Sequence, residues 1–388
     1  MRAENRNALV LVGLLGAAAA VSLISVYKVL TGHPEQVAID LPSYVEGARR
    51  LVETGSPYAV ELHAGPLENI ASNIDVGYLY PPPLAQLFVP LILLPSVLLT
   101  WAWVLSQAIL LVVLLPVVYR RFGGAGDQGA VIGILLAAVA YTPNLIAVYI
   151  GNVSGWIAIL VALLLIVQAP GRAAAGVTAM WLKLTPGVFA LGAFVDRSTR
   201  VATVGASLAI FVISLVLAPA AWTDWVDVLP AIAGLSEAPY TSNLAPSHVL
   251  ASTGIPALAG ISRVVLPVLF GIVLVVSARK GNIGAWVAAA TGVYLTASDT
   301  AWDHYFAVLS PIAAAAWPRA TRLRYLIVVV LAWYGPLRFL EAQAWYQLLG
   351  LVLWLAFLFG AIVIFRGLPT LPRASILARL SPRFGSPD

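Results

Sequence analysis

Twelve apolar runs follow one another along this chain, and a water-soluble fold has no use for so many. They cover roughly residues 8–30, 84–95, 97–119, 129–150, 153–168, 173–195, 201–219, 264–278, 283–297, 305–317, 325–340 and 346–365. Many approach the ~20 residues that a helix needs to cross a bilayer. A transmembrane barrel would show ~10-residue segments of alternating polarity, and none is present. Only 10% of the residues are charged, against about 25% in a soluble domain. The expected fold class is therefore all-α, a polytopic membrane bundle of about 11–13 helices.

The first run, Ala8 to Leu30, follows Arg2 and Arg6. It exceeds the ~7–15 residues of a signal-peptide core, so a retained first helix is expected. Cysteine is absent, which excludes disulfides, thiolate nucleophiles and Cys-ligated metals. The net charge of +5 belongs mostly to arginines flanking apolar runs, so it reads as membrane orientation and not as nucleic-acid binding. One membrane domain over 1–370 is expected, with a basic cytoplasmic tail at 371–388 and no internal repeat.

Charge orients the bundle. Arg279-Lys280, Arg319/Arg322/Arg324, Arg366 and the tail arginines Arg373, Arg379 and Arg383 belong in the cytoplasm by the positive-inside rule. The polar segments 31–82, 220–262 and 298–304 then share the opposite, outer face, and they hold 12 of the 17 acidic residues. Seven of those acids lie between Glu35 and Asp75. One conflict arises at Arg120-Arg121, which fall outside if 84–95 and 97–119 both cross. Treating 84–95 as a half-helix and breaking 173–195 at Pro186 repairs it, because Pro lacks the N–H that a continuous helix needs. That arrangement also puts Gly151-Asn152 and Lys183 on the outer face.

Several residues there have types suited to chemistry. Asp40 precedes Leu41-Pro42, where Pro favours the start of a helix running to about Glu53. Its carboxylate either serves the helix N-terminus or acts as a general base. Glu46 is placed to pair with Arg49 or Arg50. Tyr58, Tyr78 and Tyr80, the last two in Tyr78-Leu-Tyr-Pro-Pro-Pro83, are either interface aromatics or platforms for a sugar ring. Lys183, in Met180-Trp-Leu-Lys-Leu-Thr-Pro-Gly187, puts a cation in an apolar stretch at a cost of about 2.5–3.5 kcal/mol. It either snorkels or binds a lipid phosphate. Ser298-Asp-Thr-Ala-Trp-Asp-His-Tyr305 places His304 beside Asp303 at a helix start. No second His or Cys sits at ligand spacing, so no metal is expected. The segment Trp222 to Ser262 alternates aromatic and polar residues, as an amphipathic helix on the membrane would.

In this order the motifs resemble glycosyltransferase family 87. They are Asp40 with Tyr44, Gly55-Ser-Pro-Tyr58, Tyr78-Leu-Tyr-Pro-Pro leading to Pro90 and Pro95, and Gly151-Asn152. Lys183-Leu-Thr-Pro186, Asn243-Leu-Ala-Pro-Ser247 and Trp302-Asp-His-Tyr305 complete the set. The family usually has Gln where this chain has Asn152, and an Asn-Gln-Ser element that Asn243 to Ser247 echo loosely. The resemblance implies the GT-C fold and inverting mannosyl transfer from a polyprenyl-phosphate-mannose donor to a lipid-linked or glycan hydroxyl at the outer face of the plasma membrane. It implies Asp40 as catalytic base, Lys183 and His304 at the donor phosphate, and His304 as a second catalytic candidate. Tyr44, Tyr58, Tyr78, Tyr80, Asn152, Asn243, Trp302, Asp303 and Tyr305 become substrate-binding candidates, with no cofactor and membrane lipids as surroundings. Competing readings are arabinosyl transfer from a polyprenyl phosphate, a secondary transporter, and a scaffold that binds a lipid-linked sugar without catalysis. A transporter would place its ionisable groups near the midplane within inverted repeats, whereas these acids crowd the outer loops.

Overall fold

Helix length decides how the bundle is layered. The computed structural model describes residues 3–33, 37–63, 77–124, 128–234, 243–298, 300–320 and 344–367, with 324, 326, 327 and 330 between the last two stretches. Within them the helices are α1 (Ala3–Gly32), α2 (Leu41–Thr54), α3 (Pro82–Phe88), α4 (Ser96–Arg121), α5 (Gln128–Ala140), α6 (Thr142–Tyr149), α7 (Val153–Ile166) and α8 (Ala169–Leu182). They continue as α9 (Gly187–Val195), α10 (Arg200–Leu217), α11 (Pro219–Gly234), α12 (Pro246–Ser252), α13 (Pro256–Arg279), α14 (Ile283–Thr296), α15 (Leu309–Ala316) and α16 (Ala344–Arg366). No strand forms among the described residues, where the pairing of Asn243 with Trp302 is an isolated bridge. The protein is an all-α polytopic membrane bundle.

Four helices, α4, α10, α13 and α16, are long and apolar enough to cross a bilayer, and α5 with α6 makes a fifth span bent by 61°. The outward faces of α10 and α13 carry bare Val201, Val216, Leu217 and Val264, a surface suited only to lipid. The inner layer differs. α7 and α14 have 14 residues each, about 21 Å of helix, too short for a hydrocarbon core of about 30 Å. Nearly every residue of both is buried.

The ends of these helices register the molecule. Asn282, at the start of α14, donates its amide to the Phe365 carbonyl at the end of α16 (2.7 Å). The Phe365 ring meets Phe122, just past α4. Arg319 lies over Gly123. Arg120-Arg121, Arg279-Lys280, Arg319 and Arg366 therefore gather at one end, the basic end. From that shared level α16 rises about 35 Å and α14 about 21 Å. The far end of α14 thus stops about 13 Å below that of α16, and a recess forms there.

The half-helix arrangement expected from charge is the one adopted. α3 and a 3-10 turn at Leu91–Leu93 occupy 82–93 without spanning. The 173–195 run is a hairpin, α8 and α9, broken at Lys183–Pro186. Two other expectations need correcting. The run 129–150 breaks at Tyr141, because Pro143 cannot donate into a continuous helix. The helix expected over 264–278 starts eight residues earlier, so α13 takes in the end of the polar segment 220–262. Ser262 and Arg263 dilute that run, but the Ser262 hydroxyl donates to the Ala259 carbonyl, so the helix absorbs it. Glu46 pairs with Arg50 (3.3 Å). Residues 64–76 with Asp75, residues 235–242 with Glu237, most of 325–340 and the 371–388 tail lie outside the described residues.

A buried ion pair closes the base of the α8–α9 hairpin: Arg172 Nη1 meets Asp196 Oδ2 at 3.1 Å, both almost fully buried. Asp196 Oδ1 accepts from the Ser198 backbone and hydroxyl. Removing one partner strands the other's charge, at about 3–5 kcal/mol. Asp196→Ala should therefore lower the melting temperature in detergent more than the double variant Arg172→Met/Asp196→Leu, which leaves no lone charge.

Candidate active site

At the recessed end, three chain breaks meet. Gly151 turns α6 into α7 with φ +68°, and a Cβ there would lie 3.0–3.1 Å from Cβ and Cα of Ala38. That close approach lets 38–40 dock on the turn. The Ala38 N–H donates to the Tyr149 carbonyl (2.7 Å) and the Asp40 N–H to the Ile150 carbonyl (2.9 Å). Trp103 of α4 donates from Nε1 to the Gly151 carbonyl (2.7 Å). Asp40 is thus pinned through its backbone to Ile150, a partner far away in sequence.

Asp40 occupies the N-cap position of α2, yet its side chain makes no capping bond. It accepts instead from Asn152 Nδ2 through Oδ2, at 2.6 Å. A capping hydrogen bond therefore does not account for this carboxylate. Tyr80 OH lies 3.4 Å from Asn152 Nδ2 and 3.3 Å from Tyr44 OH. Tyr44 OH in turn accepts from the Val153 N–H (3.3 Å).

Lys183 sits in the break between α8 and α9, outside the spanning helices. Its Nζ lies 3.5 Å from the ring centroid of Tyr305 and 5.9 Å from that of Tyr80, a cation–π seat worth about 0.5–2 kcal/mol. Tyr305 stacks on Tyr294 (5.8 Å) and meets His304 edge-on (4.9 Å). The turn Asp303–Val308 that carries them is held from α6: Tyr141 OH donates to the Phe306 carbonyl (2.9 Å), and Ser310 OH to Asn144 Oδ1 (3.1 Å).

The electrostatics follow from burial. Loss of water raises the Asp40 carboxyl from the ordinary carboxylate value, and the Asn152 amide and the Lys183 ammonium pull it back. The same loss of water lowers Lys183 to about 7 against the upward pull of Asp40. A carboxylate and an ammonium thus face one half-buried recess, each tuned toward neutrality.

The other sequence candidates divide by accessibility. Asp40, Tyr80, Lys183, Trp302 and His304 keep exposed surface. Tyr44, Tyr58, Tyr78, Asn152, Asn243, Asp303 and Tyr305 are buried. Tyr58 OH donates to the Tyr80 carbonyl, and Tyr78 OH both donates to the Pro81 carbonyl and accepts from Ala85 N–H at the start of α3. Asn243 Oδ1 accepts from the N–H groups of Ala245 and Ala301, tying 243–245 to the segment before Trp302. Two supporting residues escaped the sequence reading, Trp103 and Gln107. With its amide turned to satisfy both ends, Gln107 accepts from Trp103 Nε1 and donates to the Asn152 carbonyl. A glutamine inside an apolar span was the available signal.

The family model for glycosyltransferase family 87 matches residues 78–279, from Tyr78 before α3 to the end of α13. The chain belongs to that family. No curated protein and no solved structure matches it. Family 87 membership makes the protein a glycosyltransferase and sets aside the transporter reading. The matched stretch contains Tyr80, Asn152 and Lys183, whereas Asp40 and the 302–305 segment reach the site from either side of it.

Gly151→Ala tests how the site is assembled. The left-handed φ alone costs about 1–2 kcal/mol, and the new Cβ pushes on Ala38. The expected outcome is a lower melting temperature with faster hydrogen exchange at the Ala38 and Asp40 amides, while the Arg172–Asp196 base keeps its protection.

Proposed function

We propose that this family 87 protein transfers mannose from a polyprenyl-phosphate-mannose donor to a hydroxyl of a glycolipid or glycan, with inversion at the anomeric carbon. The observation that carries the proposal is the juxtaposition of Asp40 and Lys183 across one recess. In this reading the acceptor O–H gives its proton to the Asp40 carboxylate as its oxygen attacks the anomeric carbon. The bond from that carbon to the phosphate oxygen breaks, and its electron pair leaves with the phosphate. A positioned base contributes about 10²–10⁴-fold, and a cation aimed at the leaving oxygens stabilises the charge that develops there. Lys183, steadied on the Tyr305 ring, takes that second role with His304 beside it. Tyr80 and Trp302 are half-buried aromatics available to a sugar.

Location and access follow the same logic. With the arginine-rich end in the cytoplasm, the recess opens on the periplasmic or extracellular face of the plasma membrane. Its floor lies below the ends of the spanning helices, at a depth suited to a phosphate on a membrane-embedded chain.

The first test supplies membranes with radiolabelled polyprenyl-phosphate-mannose. Wild type should yield labelled glycolipid, and Asp40→Asn at least about 100-fold less. Equal labelling would remove Asp40 from the chemistry, and labelling only from the arabinose donor would change the sugar. The pH dependence of kcat/KM should be bell-shaped, reporting the coupled pair in the free enzyme. Asp40 must be ionised, so activity falls with acid through a limb above the ordinary carboxylate value. Lys183 must be protonated, so activity falls again as pH rises through about 7. Lys183→Arg should move that alkaline limb out of range, because guanidinium stays charged.

A further inference from the structure

Asn152 enters the site with both ends of its amide committed. Its Oδ1 accepts from the Ser154 N–H at 2.8 Å and caps α7. Its Nδ2 donates to Asp40 Oδ2 at 2.6 Å and lies 3.4 Å from Tyr80 OH. The side chain is 3% exposed. Flipping the amide would set its oxygen against a carboxylate oxygen and its NH₂ against a backbone N–H. Each change turns an attraction into a repulsion between buried groups. The first turn of α7 therefore dictates which way Nδ2 points.

We infer that Asn152 is a positioning residue, not a substrate ligand: locked by the α7 N-terminus, it holds Asp40 through Oδ2 and leaves Oδ1 as the oxygen that meets the acceptor hydroxyl. This rests on the proposal that Asp40 is the base, and it goes further by assigning the oxygen and its means of control. Among the described residues no protein group donates a hydrogen bond to Oδ1. A carboxylate held at one oxygen by a rigid donor loses the rotation that would spoil its aim, and a small misplacement can cost about 10²-fold in rate. The other groups acting on Asp40 are Lys183 from the α8–α9 break, Tyr44 from α2, Tyr80 from the segment before α3 and Tyr305 from the turn after α14. Lys183 balances its charge at a distance, while Asn152 fixes its geometry.

Three substitutions separate this role from plain helix capping. Asn152→Ser and Asn152→Asp both keep an oxygen able to cap α7, and neither places a fixed donor on Asp40. Asn152→Ala loses the cap as well. The readouts are donor KM and kcat in membranes supplied with labelled polyprenyl-phosphate-mannose, the pH–rate profile, and an infrared titration of the carboxylic C=O band that Asp40→Asn removes. The expected result for Asn152→Ser is a melting temperature near wild type and a kcat about 10- to 100-fold lower. Its donor KM stays unchanged, while its acid limb and infrared band both move to higher pH. Asn152→Asp should move them further, because a second carboxylate then faces the first. A raised donor KM with normal kcat in Asn152→Ser would make Asn152 a substrate ligand and overturn the inference. So would an unmoved infrared titration in that variant. Full transfer by Asp40→Asn would overturn the base assignment and the inference together, whereas normal Asn152→Ser beside inactive Asp40→Asn would overturn the inference alone.

Discussion

Every break in a membrane helix leaves N–H and C=O groups that lipid cannot satisfy, so such breaks survive only where protein covers them. In this chain the breaks satisfy one another. The carbonyls at the end of α6 accept from Ala38 and Asp40, the Gly151 carbonyl accepts from Trp103, and the open N-terminus of α7 is met by Asn152. The segment before Trp302 is met by Asn243 and Leu244 in the same way. Side chains carried on these breaks are consequently forced into one place. The gathering of a carboxylate, an amide, an ammonium and three tyrosines is a consequence of backbone accounting before it is a matter of chemistry.

Keeping a carboxylate and an ammonium half-buried is costly, and pairing rarely returns the whole cost. A hydrophobic replacement would serve stability as well or better. The Arg172–Asp196 pair at the basic end has a structural reason, since it joins the two legs of a hairpin and anchors the following turn. Asp40 and Lys183 join no such legs. Their side chains meet Asn152 and the face of an aromatic ring, and both retain access to the recess. Perturbed ionisation without a structural return is what the proposed site would require.

How much of this could be read from the sequence depended on the length scale of the signal. The all-α membrane class was plain in the apolar runs, and the basic residues that charge assigned to one face do gather at one end. The charge conflict at Arg120-Arg121 even pointed to the half-helix at 82–93 and to the tip at Lys183. The break at Tyr141 was passed over, because the stretches on either side of Thr142-Pro143-Asn144 are as apolar as a continuous helix. The first turns of α13 were hidden by Ser262 and Arg263. At the site, residue type identified Asp40 and Lys183 as expensive residues in need of a reason. It did not separate Tyr80, which keeps access to the recess, from Tyr58 and Tyr78, whose hydroxyls are taken up by the backbone carbonyls of Tyr80 and Pro81. That distinction is made by which backbone carbonyl each hydroxyl reaches, and such side-chain partners leave no periodic trace.

The short inner helices carry the last step. α14 and α7 lack the length to span, and the level that α14 shares with α16 at the basic end places its shortfall at the other end. A bundle of uniform helices would present its loops at the membrane surface, in water. Here the loop residues that carry charge sit about 13 Å lower, walled by helices whose outer faces are bare valine and leucine. Water is sparse at that depth, so each dipole and charge acts more strongly than it would at the surface. For the proposed reaction, the same depth brings the site toward the level where a lipid-borne phosphate already lies. The sugar then needs to travel little and the long chain need not leave the bilayer, so helix length does the work that a closing domain does in a soluble enzyme.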